Sequence, residues 1–426
     1  MKRCSLITTF ILLLTFNCTL INAQQGFNEN NDRWLKVWTD FAPNNTGYPE
    51  AEEKLPNIIS EHTYLRSDVV YLLSGKVYVT NGASLTIQEG TIIRCDYKNP
   101  ASLIMTKGSK LIAVGSKAYP IVFTSSKASR SRNSGDWGGI IIAGSGKVNS
   151  ISGSGIIEGD LNPIYSVYGG NQVDEETTIL RHVRIEFPGN ISKNGIASNG
   201  LSLYGIGTSS IIEDIMVSYS GNDSYNIRGG KNNISKLISF KAQGDDYQIT
   251  EGFKGNLNNI LAIRHPYINS PQGSYALKLD GFNEDTGFIK SSAVTDVTIT
   301  NANLINLSDK TNYQHTTAAI SASNSAITYI HNSKISGFSD VVKFDQSYTS
   351  LAIIQKAFMM DNSFFNIHGK GIDSNNKVIN GALNILKYNR FTEKFVSVND
   401  LFSDPNSVIA PKFKLKRSLN NYMVMQ

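Results

Sequence analysis

Apolar residues along this chain fall in short runs, broken every few positions by Gly, Asn, Asp or Ser. Such runs are Lys76–Thr80, Ser84–Gln88, Thr91–Arg94, Lys110–Val114, Pro120–Thr124, Gly139–Ala143, Arg181–Phe187 and Asp214–Tyr219. Short apolar runs bounded by turn residues predict β-strands. Helical periodicity does not persist beyond a few turns. One short helix is expected between Glu50 and Ile59, ending near Pro56.

From about Ile215 the strands themselves recur. Similar runs start at Ile215, Leu237 and Ile260, in steps of 22 and 23 residues, and further ones start at Val294, Ala326 and Ala357. A period of about 20–25 residues with short strands marks a β-solenoid, in which each coil buries its apolar faces only when neighbours stack on it. Leucine-rich repeats need a regular Leu/Asn consensus, and propellers need longer blades; neither pattern is present. The expected fold is all-β, a right-handed parallel β-helix. Asn at the turns, as at Asn232–Ile234 and Asn301–Asn303, suits side-chain ladders along the axis. The expected division is a leader over 1–23, an N-terminal cap over 24–62, the helix over 63–390 and a C-terminal cap or tail over 391–426. Caps are needed because open solenoid ends invite edge pairing.

The first residues change the picture of location. Lys2 and Arg3 precede a short apolar run, Leu6–Phe16, and Ile21-Asn22-Ala23 offers a cleavage site before Gln24. Lipidation at Cys18 is the alternative. Losing residues 1–23 removes two positive charges, taking the formal charge from +5 to +3. That balance argues against nucleic acid as a partner. Cys4 and Cys18 leave with the leader, so Cys95 has no disulfide partner and reads as a buried structural thiol. No second long apolar segment predicts a transmembrane helix. The basic run Lys412–Arg417 reads as a solvated tail.

Candidate chemistry centres on two turns about one coil apart, "SYSGNDSYNIRGG" (Ser218–Gly230) and "FKAQGDDYQITEG" (Phe240–Gly252). Stacking at about 4.8 Å places Asp223 over Asp245 or Asp246. Bare carboxylates that close repel, so the turns call for a bridging cation, a shared proton or splaying. A Ca²⁺ ion would draw on Asp223, Asp245, Asp246 and Asn222, with Asn226 and Gln248 completing the shell. A pectinase-like hydrolase or lyase would use the same acids, with Arg264 or His265 from the next coil. Aligning the strands puts Arg264 over Lys241, away from the acids. Plain turns are the third reading.

Other features are weaker. His182, Arg184 and Glu186 alternate with Val183, Ile185 and Phe187, which predicts a charged, salt-bridged stripe outside the coil. Asp136–Gly139 reads as a turn into a buried strand. Tyr165, Tyr168, Tyr219, Tyr225 and Tyr247 either line a sugar groove or serve as ordinary strand residues. His62, His315, His331 and His368 lack zinc-ligand spacing.

Val77–Ile93, Leu103–Ser125, Ser134–Gly144, Leu180–Gly189, Asn199–Asp223 and Val294–Ile305 resemble, in order, a family of secreted Gram-negative parallel β-helix proteins of mostly unknown function. Trp38–Tyr48 is similar to the segment preceding the helix in that family. The resemblance implies export and the β-helix fold. Together these features suggest an exported, non-catalytic protein of the cell envelope or surface that binds a glycan or surface partner, with Ca²⁺ at the acidic turns. A polysaccharide hydrolase or lyase and a structural or adhesive envelope component are the alternatives.

Overall fold

The computed structural model describes residues 33–192, 194–265, 274–289, 292–308, 317–374 and 385–416. The leader expected over 1–23 lies outside them. Leu35–Gln426 forms one compact unit.

The strands wind into a right-handed parallel β-helix. Tyr225–Phe240 displays the logic of a coil. Its start pairs with Tyr247–Thr250 on the first face, its middle with Lys254–Asn258 on the second, and its end with Leu261–Arg264 on the third. All three pairings are parallel.

Corners between the second and third faces are made by residues with positive φ. His182 (48°), Asp214 (54°), Lys236 (56°), Asn259 (57°), Asn301 (59°), Asn332 (51°) and Asn362 (45°) occupy this corner on successive coils. Asn tolerates that conformation better than most residues, which explains its abundance there. The Asn side chains also bond along the axis: Asn301 Nδ2 donates to Asn258 Oδ1 at 2.9 Å, and Asn256 Nδ2 to Asn233 Oδ1 at 2.8 Å.

Inside, one residue per coil stacks in register: Val77, Leu103, Ile140, Leu201, Tyr225, Tyr247, Leu277, Ile320 and Val342. All are buried. Each contributes on the order of 1.5–3 kcal/mol by leaving water. Cys95 is buried too, and burial pushes its thiol well above the ordinary range. Asp136–Gly139 leads into the buried strand Ile140–Ala143. A Cβ on Gly139 would stand 1.9 Å from Asn199 O, so the turn requires glycine.

Several expectations are corrected. Glu50–Ile59 is not helical: Glu53–Lys54 and Ile58–Ile59 are strands, and Glu53 already pairs with Tyr71. Stacking therefore begins before residue 63. The stripe of His182, Arg184 and Glu186 is not open surface. The left-handed corner at His182 breaks the alternation, and residues 35–50 cover the outer side of the third face. Trp38 packs edge-on against His182, with centroids 5.6 Å apart. Tyr48 OH donates to Glu186 Oε1 at 3.0 Å, and Arg184 Nη2 donates to Tyr48 OH at 2.9 Å. Burial raises the carboxyl of Glu186.

Both terminal segments lie on this flank. Arg94, itself buried, donates to the carbonyls of Tyr48 and Pro49 at 3.0 and 2.8 Å. Arg132 Nη1 holds Pro43 O and Thr46 O at 2.7 and 2.9 Å. The basic run proves to be an element: Lys412–Leu415 pairs antiparallel with Phe402–Asp404 and buries Phe413 between exposed lysines. Phe413 packs on Phe41 and Phe240, with centroids at 5.0 and 5.2 Å. The chain beyond the last rung, Arg390–Thr392, thus returns to the flank of the central coils.

Candidate functional site

The acidic turns sit at the corner that leads into the first face. Ser224 N donates to Asp245 O at 2.9 Å, and Tyr225 pairs with Tyr247, so Asp223 stacks on Asp245 and Ser224 on Asp246. Asp223 Oδ1 accepts from Asp245 N at 2.8 Å, and Asp245 Oδ1 accepts from Tyr275 N at 2.7 Å. Each carboxylate therefore caps a backbone N–H of the next coil. The Gln248 amide, oriented with its nitrogen toward the acid, donates to Asp223 Oδ2 at 2.9 Å and accepts from Lys278 Nζ at 3.3 Å. Lys278 Nζ lies 3.7 Å from Asp245 Oδ2.

Asp246 points the other way, into the coil. Ser239 Oγ donates to its Oδ1, and Arg264 Nη1 to its Oδ2 at 2.6 Å. The side chains of Arg264 and Asp246 are 5% and 0% exposed. Arg264 Nη1 and Nη2 also donate to Tyr275 O at 3.0 Å and Gly244 O at 3.1 Å. The expected separation of Arg264 from the acids is corrected here. The backbone register does place it beside Lys241, one step beyond the Phe240–Ile263 pair. The long side chain then reaches back across the turn. His265 follows it, half-buried, just before residues 266–273, which are not described.

Burial and the neighbouring Asp245 carboxylate push Asp223 up to about 7. Burial also raises Asp245, opposed by Lys278, and Asp246, opposed by Arg264. The set does not fit a cation. Its oxygens already accept from N–H and O–H donors, two positive side chains stand beside them, and Asn222 Nδ2 is turned to Asn199 Oδ1 at 2.9 Å. Among the described residues, no group of three or more His, Cys, Asp or Glu converges as metal ligands. The Asp246–Arg264 ion pair is buried and saturated with protein partners.

The open site lies beside these turns, on the outer side of the first face. Along the early coils this side is apolar, with Tyr78, Ile104 and Ile141 in register. An insertion over 144–176 covers it through Ile157 and Tyr168. Tyr165 packs on Tyr78, with centroids 5.0 Å apart, and Asn162 N donates to Tyr78 OH at 2.9 Å. Farther along, the same rows turn polar, through Asn226, Gln248 and Lys278, and the cover ends.

There a cleft of about 420 Å³ opens. Its floor includes Arg228, Thr250, Lys278, Asp280, Ser323 and Asp345. A second insertion, 281–295, supplies Asn283. Glu251 ties the walls together from behind: Tyr168 OH donates to its Oε2 at 2.7 Å, Asn283 Nδ2 to its Oε1 at 3.1 Å, and Arg228 Nη1 to the same oxygen at 3.4 Å. Asn149 fastens the insertions to each other, donating to Gly281 O at 2.9 Å and Ala293 O at 3.1 Å. Burial raises the carboxyl of Asp280.

The polar floor, walled by two insertions, is carried on a parallel β-helix, and the sequence comparison fits that fold. Residues 57–399 match the model of the pectate-lyase-like β-helix domain. The chain belongs to that family. No curated protein and no solved structure matched it. In this pectate-lyase-like chain the sequence-predicted acids border the cleft rather than form it. Gln248 and Lys278 join the two, lining the cleft while holding Asp223 and Asp245.

Tyr225 and Tyr247 do not line a sugar groove. They stack in the interior, with centroids 5.0 Å apart, and each hydroxyl lies within 2.9 Å of two backbone carbonyls, between which its one hydrogen can be shared. Arg228, Lys278, Asp280 and Asp345 were not picked out from the sequence. Their signal was present as polar residues at the outward positions of strands whose earlier counterparts are apolar.

Proposed function

We propose that this pectate-lyase-like protein binds a polysaccharide in the first-face cleft and acts as a non-catalytic binding protein. The observation that carries this reading is the cleft itself: an open, polar, walled groove on a face of stacked strands, with hydrogen-bonding side chains at each rung. Extended sugars need repeated donors and acceptors in register, and stacked strands supply them every 4.8 Å or so. The leader-like N-terminus and the resemblance to secreted Gram-negative β-helix proteins support export to the periplasm, outer membrane or medium. No helix of the described residues is long and apolar enough to cross a membrane.

The acidic turns belong to the scaffold in this reading. Their carboxylates secure successive coils and position Gln248 and Lys278 at the edge of the cleft. A second reading, polysaccharide hydrolysis, has one observation in its favour: two carboxylates, Asp280 and Asp345, share the cleft and are both held by Asn324.

Co-sedimentation with a panel of neutral, acidic and amino polysaccharides, read alongside new reducing ends and unsaturated products, separates the two. Retention without cleavage is expected. New ends that vanish in Asp280→Asn would replace binding with hydrolysis as the function. Absence of retention on every polymer would refute the binding reading.

A further inference from the structure

The charges around the cleft discriminate among polysaccharides. Seven charged side chains line it, and five are acidic: Glu158, Asp280, Glu284, Asp285 and Asp345 oppose Arg228 and Lys278. Both cations are already engaged. Arg228 Nη1 lies 3.4 Å from Glu251 Oε1 and 3.6 Å from Glu158 Oε1, and Lys278 Nζ lies 3.7 Å from Asp245 Oδ2. Counting Glu251 and Asp245 behind the floor, seven carboxylates face two cations.

Asp280 and Asp345 stand out because their hydrogen-bond donors are neutral. Asn324 Nδ2 donates to Asp280 Oδ1 at 2.8 Å, and Asn324 N to Asp345 Oδ2 at 3.2 Å. Ser347 N donates to Asp345 Oδ1 at 3.0 Å. One residue thus holds both carboxylates at the floor. A second observation is independent of the acids. Thr250, which lines the cleft next to Arg228 and Asp280, is 3% exposed, and its Oγ1 has no hydrogen-bond partner. Buried hydroxyls are almost always paired, so this orphan marks an incomplete polar contact at the edge of the floor.

We propose that the cleft takes an amino-sugar polysaccharide bearing free ammonium groups. This rests on the reading of the cleft as a polysaccharide site. An ammonium offers three donors and no acceptor, which matches two carboxylates whose hydrogen-bond donors are neutral. A uronate carboxylate in the same place meets like charge, which suppresses wrong partners. The charge of the cleft therefore runs against an acidic polymer such as pectate.

Calorimetric titration of the full chain with glucosamine oligomers, their fully N-acetylated counterparts and galacturonate oligomers of equal length tests this. Glucosamine oligomers are expected to bind at least about tenfold more tightly than the acetylated ones. The preference should shrink as salt rises, and the uronates should bind most weakly. Acetylated or uronate oligomers binding as well or better would overturn the amino-sugar assignment and leave the cleft a polysaccharide site. No binding by any of the three would overturn both.

The Asp280→Asn/Asp345→Asn double variant is expected to bring the ratio of glucosamine to N-acetylglucosamine affinity toward one. Glu284→Gln/Asp285→Asn, in the second insertion, should lower that ratio part-way. An unchanged ratio in both folded variants would overturn the proposal.

Discussion

Asp246 and Arg264 form a pair whose charges have no access to water, so its energetics follow from burial. Removing one partner strands the other in the interior, at a cost on the order of 3–5 kcal/mol. Arg264→Met or Asp246→Leu alone should lower the unfolding free energy, read from denaturant titration, by that amount. The double variant should recover most of it, because an apolar pair of similar size avoids both desolvation penalties. Equal loss in single and double variants would show that the pair has no such coupling.

Asp223 carries a signature in pH. Burial and Asp245 raise its folded-state carboxyl to about 7, above the unfolded range near 4. Between those values the folded chain holds more protons than the unfolded one. Stability therefore falls as pH rises through this window, and the penalty is complete above it. Asp223→Asn removes the titration. Its unfolding free energy should vary less than wild type between about pH 4 and 7, as thermal melts across that range will report.

At the same scale, the sequence exposed the acids and Gln248 beside them, but not the contacts of Lys278 and Arg264. Strand alignment places Asp223 over its neighbouring acids, yet the choice of Asp245 depends on one backbone step. Arg264 lies off the acidic column in register and reaches it through its side chain alone.

Among the elements, the two terminal segments on the third face are coupled to each other through Phe41 and Phe413. Phe413→Ala removes the aromatic contact with both Phe41 and Phe240. Hydrogen exchange should then accelerate in Phe402–Asp404 and Lys412–Leu415, while the inner strands keep their protection. Loss of protection throughout the coils would mean that the hairpin supports the whole helix.

On the first face, Glu251 is the tie between insertion 144–176, insertion 281–295 and the floor. Glu251→Gln keeps the shape but weakens the charge-assisted bonds from Tyr168 and Arg228. Polysaccharide retention should fall along with it, and exchange over residues 155–168 should rise. The Asn ladders and the strand spacing were readable because each depends on residues one coil apart. These ties were not, because they join positions such as Tyr168 and Glu251, separated by 83 residues, or Asn149 and Gly281, separated by 132.

For the molecule as a whole, the repeat dictates a stack and the insertions decide where that stack is open. Outward apolar residues mark the covered part of the first face, and outward polar ones mark the cleft. A sequence pattern read as inward against outward cannot tell a covered outer face from an exposed one. The β-helix was therefore legible and the cleft was not.

The central claim is that a polysaccharide lies in this cleft. Ser323→Trp places a large ring on its floor, at a position already partly open to solvent. The measurement is co-sedimentation of this variant beside wild type on whichever polymer retains wild type best, with melting curves to verify folding. Retention of wild type and loss of at least about tenfold in affinity for the folded variant is the expected result. Equal retention of both would place the sugar elsewhere and contradict the assignment of the cleft.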